Sequence, residues 1–241
     1  MAEIGVDNVA NNPNLTFIFF IGLALLMVLG LRFAFYAHRN RAETGLDTQI
    51  SIWRYLLYIG GFAAIYGLVG ILEIVTTLDL PYKSAAMLAL TLLLAFAIRQ
   101  IHLITTSADG GAKRSHPFER VARAAFIGLV FLDVVVLVAV GVSDLSAIVE
   151  GVSAIMYTVY GVAFYHDQTT HSRVQGTMLD SLLRHLLPVM TFAALVNIVS
   201  LSVPLGLDRV VVLHVQVIFI IMTATALMTG TIKLRQNLAG L

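Results

Sequence analysis

Cysteine is absent from the 241 residues, charged side chains make up only 12%, and the chain holds five prolines and one tryptophan. Without thiols there is no disulfide framework, no thiolate metal site and no thiol nucleophile. So little charge, set against 59% hydrophobic residues, cannot cover the surface of a soluble domain of this length. The bilayer is the solvent that fits. Repeats of fixed period and low-complexity segments are also missing. The longest connection, the polar stretch from Ser107 to Arg120, is too short to hold a soluble domain. A net charge of +1 gives no reason to expect a nucleic-acid partner.

What the chain does have is long apolar runs. Stretches of about 20 apolar residues place spans at 15–37, 52–77, 83–104, 121–142, 146–166, 181–203 and 208–233. The fold class expected is therefore all-α, a single seven-helix transmembrane domain over 15–233. Residues 1–14 are polar and slightly acidic, without the basic start and short apolar core of a cleavable signal, and read as an extracellular tail. Residues 234–241 read as a cytoplasmic tail. If the seven spans alternate, only Lys83 and Arg209 of the 15 Lys and Arg residues fall at one face. Positive charge is retained on the cytoplasmic side during insertion, so the N-terminus is expected outside, in a multi-pass protein of the cell membrane.

Within the spans, the informative residues are those a bilayer rejects. A charged group at a helix centre costs about 2.5 to 3.5 kcal/mol even on the lenient insertion scale. Asp133, in the middle of span 4, must face the bundle interior, be protonated, or both. It is either a proton-relay or ligand-orienting carboxyl or a satisfied interhelical hydrogen-bond partner. Glu73 and Glu150 lie near the outer ends of spans 2 and 5, where they are expected to reach hydrated headgroups.

Four histidines, His102, His166, His171 and His185, gather near the cytoplasmic face. The five-residue spacing of His166 and His171 does not suit two metal ligands on one helical face. His102 and His185 are left as outside candidates for a buried metal pair. His214 and Gln216 form a polar pair about two turns into span 7, suited either to lining a pocket or to bonding between helices. Gly67, Gly70, Gly141 and Gly151 permit close backbone approach. Pro188 removes a helical hydrogen bond and is expected to kink span 6.

The order of these features resembles a family. Seven helices, very short loops, a mid-membrane carboxylate in span 4 and a proline in span 6 are similar to the microbial (archaeal-type) rhodopsins. The likeness extends over nearly the whole chain. The stretch Phe17-Ile-Phe-Phe-Ile-Gly-Leu-Ala-Leu-Leu-Met-Val-Leu-Gly30 looks like their first helix. Leu187-Pro-Val-Met-Thr-Phe and Val203-Pro-Leu-Gly-Leu-Asp208 look like their sixth-helix proline region and the following turn.

That resemblance implies a seventh-helix lysine bearing retinal as a Schiff base and, one turn earlier, an aspartate counterion. Carried across, the two positions hold Ile220 and Gln216, and isoleucine forms no imine. The third-helix Arg-Tyr-x-Asp-Trp pattern falls on Pro81-Tyr-Lys-Ser-Ala85, which keeps only Tyr82. Within the resemblance, Schiff-base light-driven pumping is therefore excluded by chemistry, and no catalytic residue is singled out. Two forms survive: a protein that holds retinal or another apolar ligand non-covalently, or one that has lost the pocket and serves as a sensor or accessory subunit. Tyr82, Asp133, Tyr157, Asn197, His214 and Gln216, with Ile220, are the candidate pocket residues. A membrane signalling partner or a homo-oligomer would go with either form. Outside the resemblance stand a membrane enzyme or redox subunit built on the inner-face histidines and a small transporter or channel.

Overall fold

In a bilayer every backbone polar group must find its partner within the protein, so apolar runs of this length fold as helices. The structure, a computed structural model, describes residues 9–43, 47–76, 78, 80, 82–108, 117–171 and 178–240. Its long helices are α1 (Pro13–Glu43), α2 (Asp47–Val75), α3 (Tyr82–Ala108), α4 (Pro117–Val140), α5 (Asp144–His171), α6 (Met178–Ile198) and α7 (Arg209–Gly240). A short 3-10 turn (Val199–Ser202) extends α6. Each of the seven helices is long and apolar enough to cross a membrane. The chain is a multi-pass membrane protein.

Local sequence explains where several helices begin. Asn12 precedes α1, and its Oδ1 accepts from the backbone N–H groups of Asn14 (3.1 Å) and Leu15 (3.2 Å). Pro13 then occupies the first helical position, where a missing N–H costs nothing. Before α5, Ser143 and Ser146 cap reciprocally: the Ser143 N–H donates to Ser146 Oγ (2.9 Å) and the Ser146 N–H to Ser143 Oγ (3.4 Å). Asp208 opens α7 by accepting from the Val210 N–H at 2.6 Å. The helices outrun the apolar spans. The 31 residues of α1 reach roughly 46 Å, against a hydrocarbon core of about 30 Å. α7 continues to Gly240, through most of the stretch expected to be a tail.

Contacts along the helices fix their directions. Gly60 on α2 lies against Ala34 on α1, and Gly67 against Leu23, so these two run antiparallel. Asn40 near the end of α1 donates from Nδ2 to the Leu234 carbonyl near the end of α7 (3.0 Å) and accepts from Asn237 Nδ2 (2.5 Å), so α1 and α7 run parallel. Successive helices thus alternate. One end of the bundle, the N-terminal face, collects the starts of α1, α3, α5 and α7 and the ends of α2, α4 and α6.

Helix α3 is the middle of the bundle, packed on α2, α4, α5 and α6, with Met87, Leu90 and Leu94 fully buried. Helix α4 sits at the periphery against α5 and α3 and is the least buried of the seven. The α1–α2 seam is the closest. A Cβ placed on Gly60 would lie 2.6 Å from both the Ala34 nitrogen and the Gly30 oxygen, and one on Gly67 2.5 Å from the Leu23 oxygen. Lipid tails are as apolar as leucine, so it is this van der Waals fit that holds the two helices together. Gly151 packs on Leu201 and Gly70 on Leu23, whereas Gly141 takes a φ of +75° in the turn between α4 and α5. Helix α6 runs continuously through Pro188.

Candidate functional site

The helix ends on the N-terminal face do not close completely. They leave a cavity of about 810 Å³ between α1, α2, α3, α5, α7 and the turn after α6. Its lining mixes apolar Phe19, Leu23, Ile74, Val212 and Leu213 with polar Glu73, Lys83, Ser84, Glu150, Ser200 and Gln216. Glu73 on α2 and Lys83 on α3 form an ion pair. Glu150, only 7% exposed, is hydrogen-bonded by the Ser84 side chain and lies within electrostatic reach of Lys83. Opposite, Gln216 Nε2 donates to the Val196 carbonyl (3.0 Å) and to Ser200 Oγ (2.9 Å), tying α7 to the end of α6. Arg209 and Asp144 sit exposed at the rim.

From this cavity a polar stripe descends one face of α5. Ser146, Glu150, Ser153 and Tyr157 follow one another at intervals of four, three and four, so they share a helical face. All four are buried. Tyr157 hydrogen-bonds with the Ser153 side chain and donates to the Phe126 carbonyl of α4 at 2.7 Å. Beside the stripe stands Asp133 of α4, fully buried, within electrostatic reach of Glu150 and Tyr157, with no hydrogen-bond partner on either carboxyl oxygen among the described residues. Farther from the N-terminal face, Phe126, Tyr160 and Phe164 continue as edge-to-face ring contacts that reach His102.

Of the pocket residues expected from sequence, Gln216 lines the cavity. Asp133 and Tyr157 lie deeper, behind Glu150. Asn197 is buried with its Nδ2 unpartnered, and Ile220 is fully buried where α7 meets Gly22 of α1. Tyr82 and His214 correct the expectation. Tyr82 is half exposed, and His214 is exposed with its Nδ1 at 2.7 Å from the Val210 carbonyl of its own helix, so both turn outward from the bundle. Glu73 and Glu150, expected at the headgroups, both line the cavity.

His102 and His185 each have a partner of their own. His102 Nε2 lies 3.3 Å from Asp167 Oδ2, and His185 Nδ1 lies 2.6 Å from the Ser181 carbonyl. Among the described residues no three His, Cys, Asp or Glu side chains gather at metal-binding distance. The side chain of His171 lies outside the described residues, as does most of the connection from Ser107 to Arg120.

The chain matches no protein-family model, no curated protein and no solved structure. What the site can do must therefore be argued from its own chemistry. A cavity of this volume is in the range that holds a small molecule. A lining that combines apolar side chains with hydrogen-bonding groups suits a ligand with an apolar body and a polar group.

Proposed function

We propose that the protein is a ligand-binding membrane sensor or accessory protein that holds a small, largely apolar molecule non-covalently in the cavity at its N-terminal face. The single observation that carries this reading is the 810 Å³ cavity itself, walled by five helices, with the buried carboxyl of Glu150 on its surface. The distribution of Lys and Arg orients this face outward in the cell membrane, since only Lys83 and Arg209 are found there. The ligand then enters from outside. An opsin-like arrangement is consistent with the seven alternating helices, and Ile220 in place of a lysine leaves non-covalent binding as the available mode. A sensor of this kind passes occupancy to a membrane signalling partner or to a second copy. The loosely packed α4 is the helix with fewest contacts to break in doing so.

Retinal is the direct probe for the apolar body. Protein purified into lipid nanodiscs and mixed with all-trans-retinal is expected to give a sharpened or red-shifted absorption band. Leu213→Trp, which fills the cavity from its α7 wall, is expected to abolish that band. A flat difference spectrum with the unaltered protein, or an undiminished band in the tryptophan variant, counts against retinal in this cavity.

A further inference from the structure

We infer that the cavity is selective for a cation, with Glu150, backed by Asp133, forming the anionic end of a site for an organic ammonium group. The inference rests on the ligand-binding reading above and gives it a ligand class.

Charge balance carries the argument. Lys83 lines the cavity, forms an ion pair with Glu73 and is shared electrostatically with Glu150. Glu150 receives the Ser84 hydroxyl, whereas an ionised carboxyl has about four acceptor sites to fill. Tyr66 of α2 also faces Glu73 and Glu150 without bringing a positive charge. Behind Glu150, Asp133 is 0% exposed and neither of its oxygens has a hydrogen-bond partner among the described residues. The Tyr157 hydroxyl beside it already donates to the Phe126 carbonyl. One buried carboxyl, Glu150, therefore lines the cavity with fewer donors than it can use, and a second, Asp133, lies behind it within electrostatic reach. At the rim, Arg209 and Asp144 are exposed and opposite in sign, and water and salt screen them.

A buried carboxylate short of donors is costly at membrane depth, and an ammonium group placed against Glu150 relieves that cost. The space far exceeds a bare metal ion, and Phe19, Leu23 and Leu213 also line it. An ammonium group on an apolar body matches both the carboxyl and these side chains.

Saturation-transfer NMR on the protein in nanodiscs tests this with three probes of similar size: benzylammonium, benzyl alcohol and benzenesulfonate. The expected result is transfer to the cation above the alcohol and the anion. Glu150→Gln is expected to raise the cation's Kd roughly tenfold or more, the scale for removing one partner of a desolvated charge pair, and Asp133→Asn to raise it less. Equal or stronger transfer to benzenesulfonate overturns the inference while leaving a ligand-binding cavity. A cation Kd unchanged in both variants overturns it too. Silence from all three probes overturns the inference, and silence together with a flat retinal difference spectrum overturns the ligand-binding reading itself. If Glu150→Gln does not elute as a monodisperse helical protein, the cation–anion comparison on the unaltered protein decides alone.

Discussion

Gly60→Ala is expected to destabilise the bundle by about 3 kcal/mol or more, while Gly61→Ala, one residue on, is neutral or stabilising by up to about 1 kcal/mol. At Gly60 the new methyl would sit 2.6 Å from backbone atoms of Ala34 and Gly30, and neither can swing aside as a side chain tip can. The helices must separate. Because Gly30 and Gly67 belong to the same seam, separation at one level loosens contact at the others. Nothing lies within 4 Å of a Cβ at Gly61, so only the better helix propensity of alanine remains there. Thermal unfolding followed by circular dichroism in one detergent compares the pair. Equal midpoints for the two variants would mean that the seam is not the contact that holds α1 to α2.

Asp133→Ala is expected to act in the opposite direction, raising stability by about 1 to 3 kcal/mol, the cost of a buried polar group left without its hydrogen bonds. Both oxygens of Asp133 are buried and unpartnered, and the side chain lost is small, so little packing is forfeited. The same variant is expected to weaken cation binding. A residue that costs stability and supports a ligand site follows the usual trade between the two. The measurement is the unfolding midpoint without added ligand. A drop in that midpoint would show that Asp133 has a stabilising partner, and the charge balance drawn for the cavity would then fail.

Much of the architecture is legible in the sequence because the bilayer imposes one demand, internal satisfaction of the backbone, that apolar runs answer in one way. The seven spans follow from that. The inward placement of Asp133 does as well, since a carboxyl has nowhere else to go in the middle of a helix. Rotation about the helix axis is harder to read. α7 is apolar on nearly every side, and its apolar residues pack equally well against lipid or protein, so periodicity does not say which face is inside. That is why His214 and Gln216, two residues apart and expected together, separate: Gln216 bonds α6 and His214 turns outward.

Glu73 and Glu150 escaped for another reason. Their depth is readable from sequence, but the convergence of α2, α3 and α5 around a common space is a tertiary fact. One signal was available: Ser146, Glu150, Ser153 and Tyr157 fall at helical spacing, and a polar stripe of that period on a membrane helix must face away from lipid.

The central claim is that the N-terminal face lies outside and opens through the cavity to water. The natural absence of cysteine makes it directly testable. Single cysteines placed at Ser84, on the cavity wall, and at Gln236, exposed near the end of α7, are treated in intact cells with a small membrane-impermeant thiol reagent. The account predicts that Ser84→Cys is modified in intact cells and that Gln236→Cys is modified only after the cells are permeabilised. Modification of Gln236→Cys in intact cells, with Ser84→Cys protected, would contradict it.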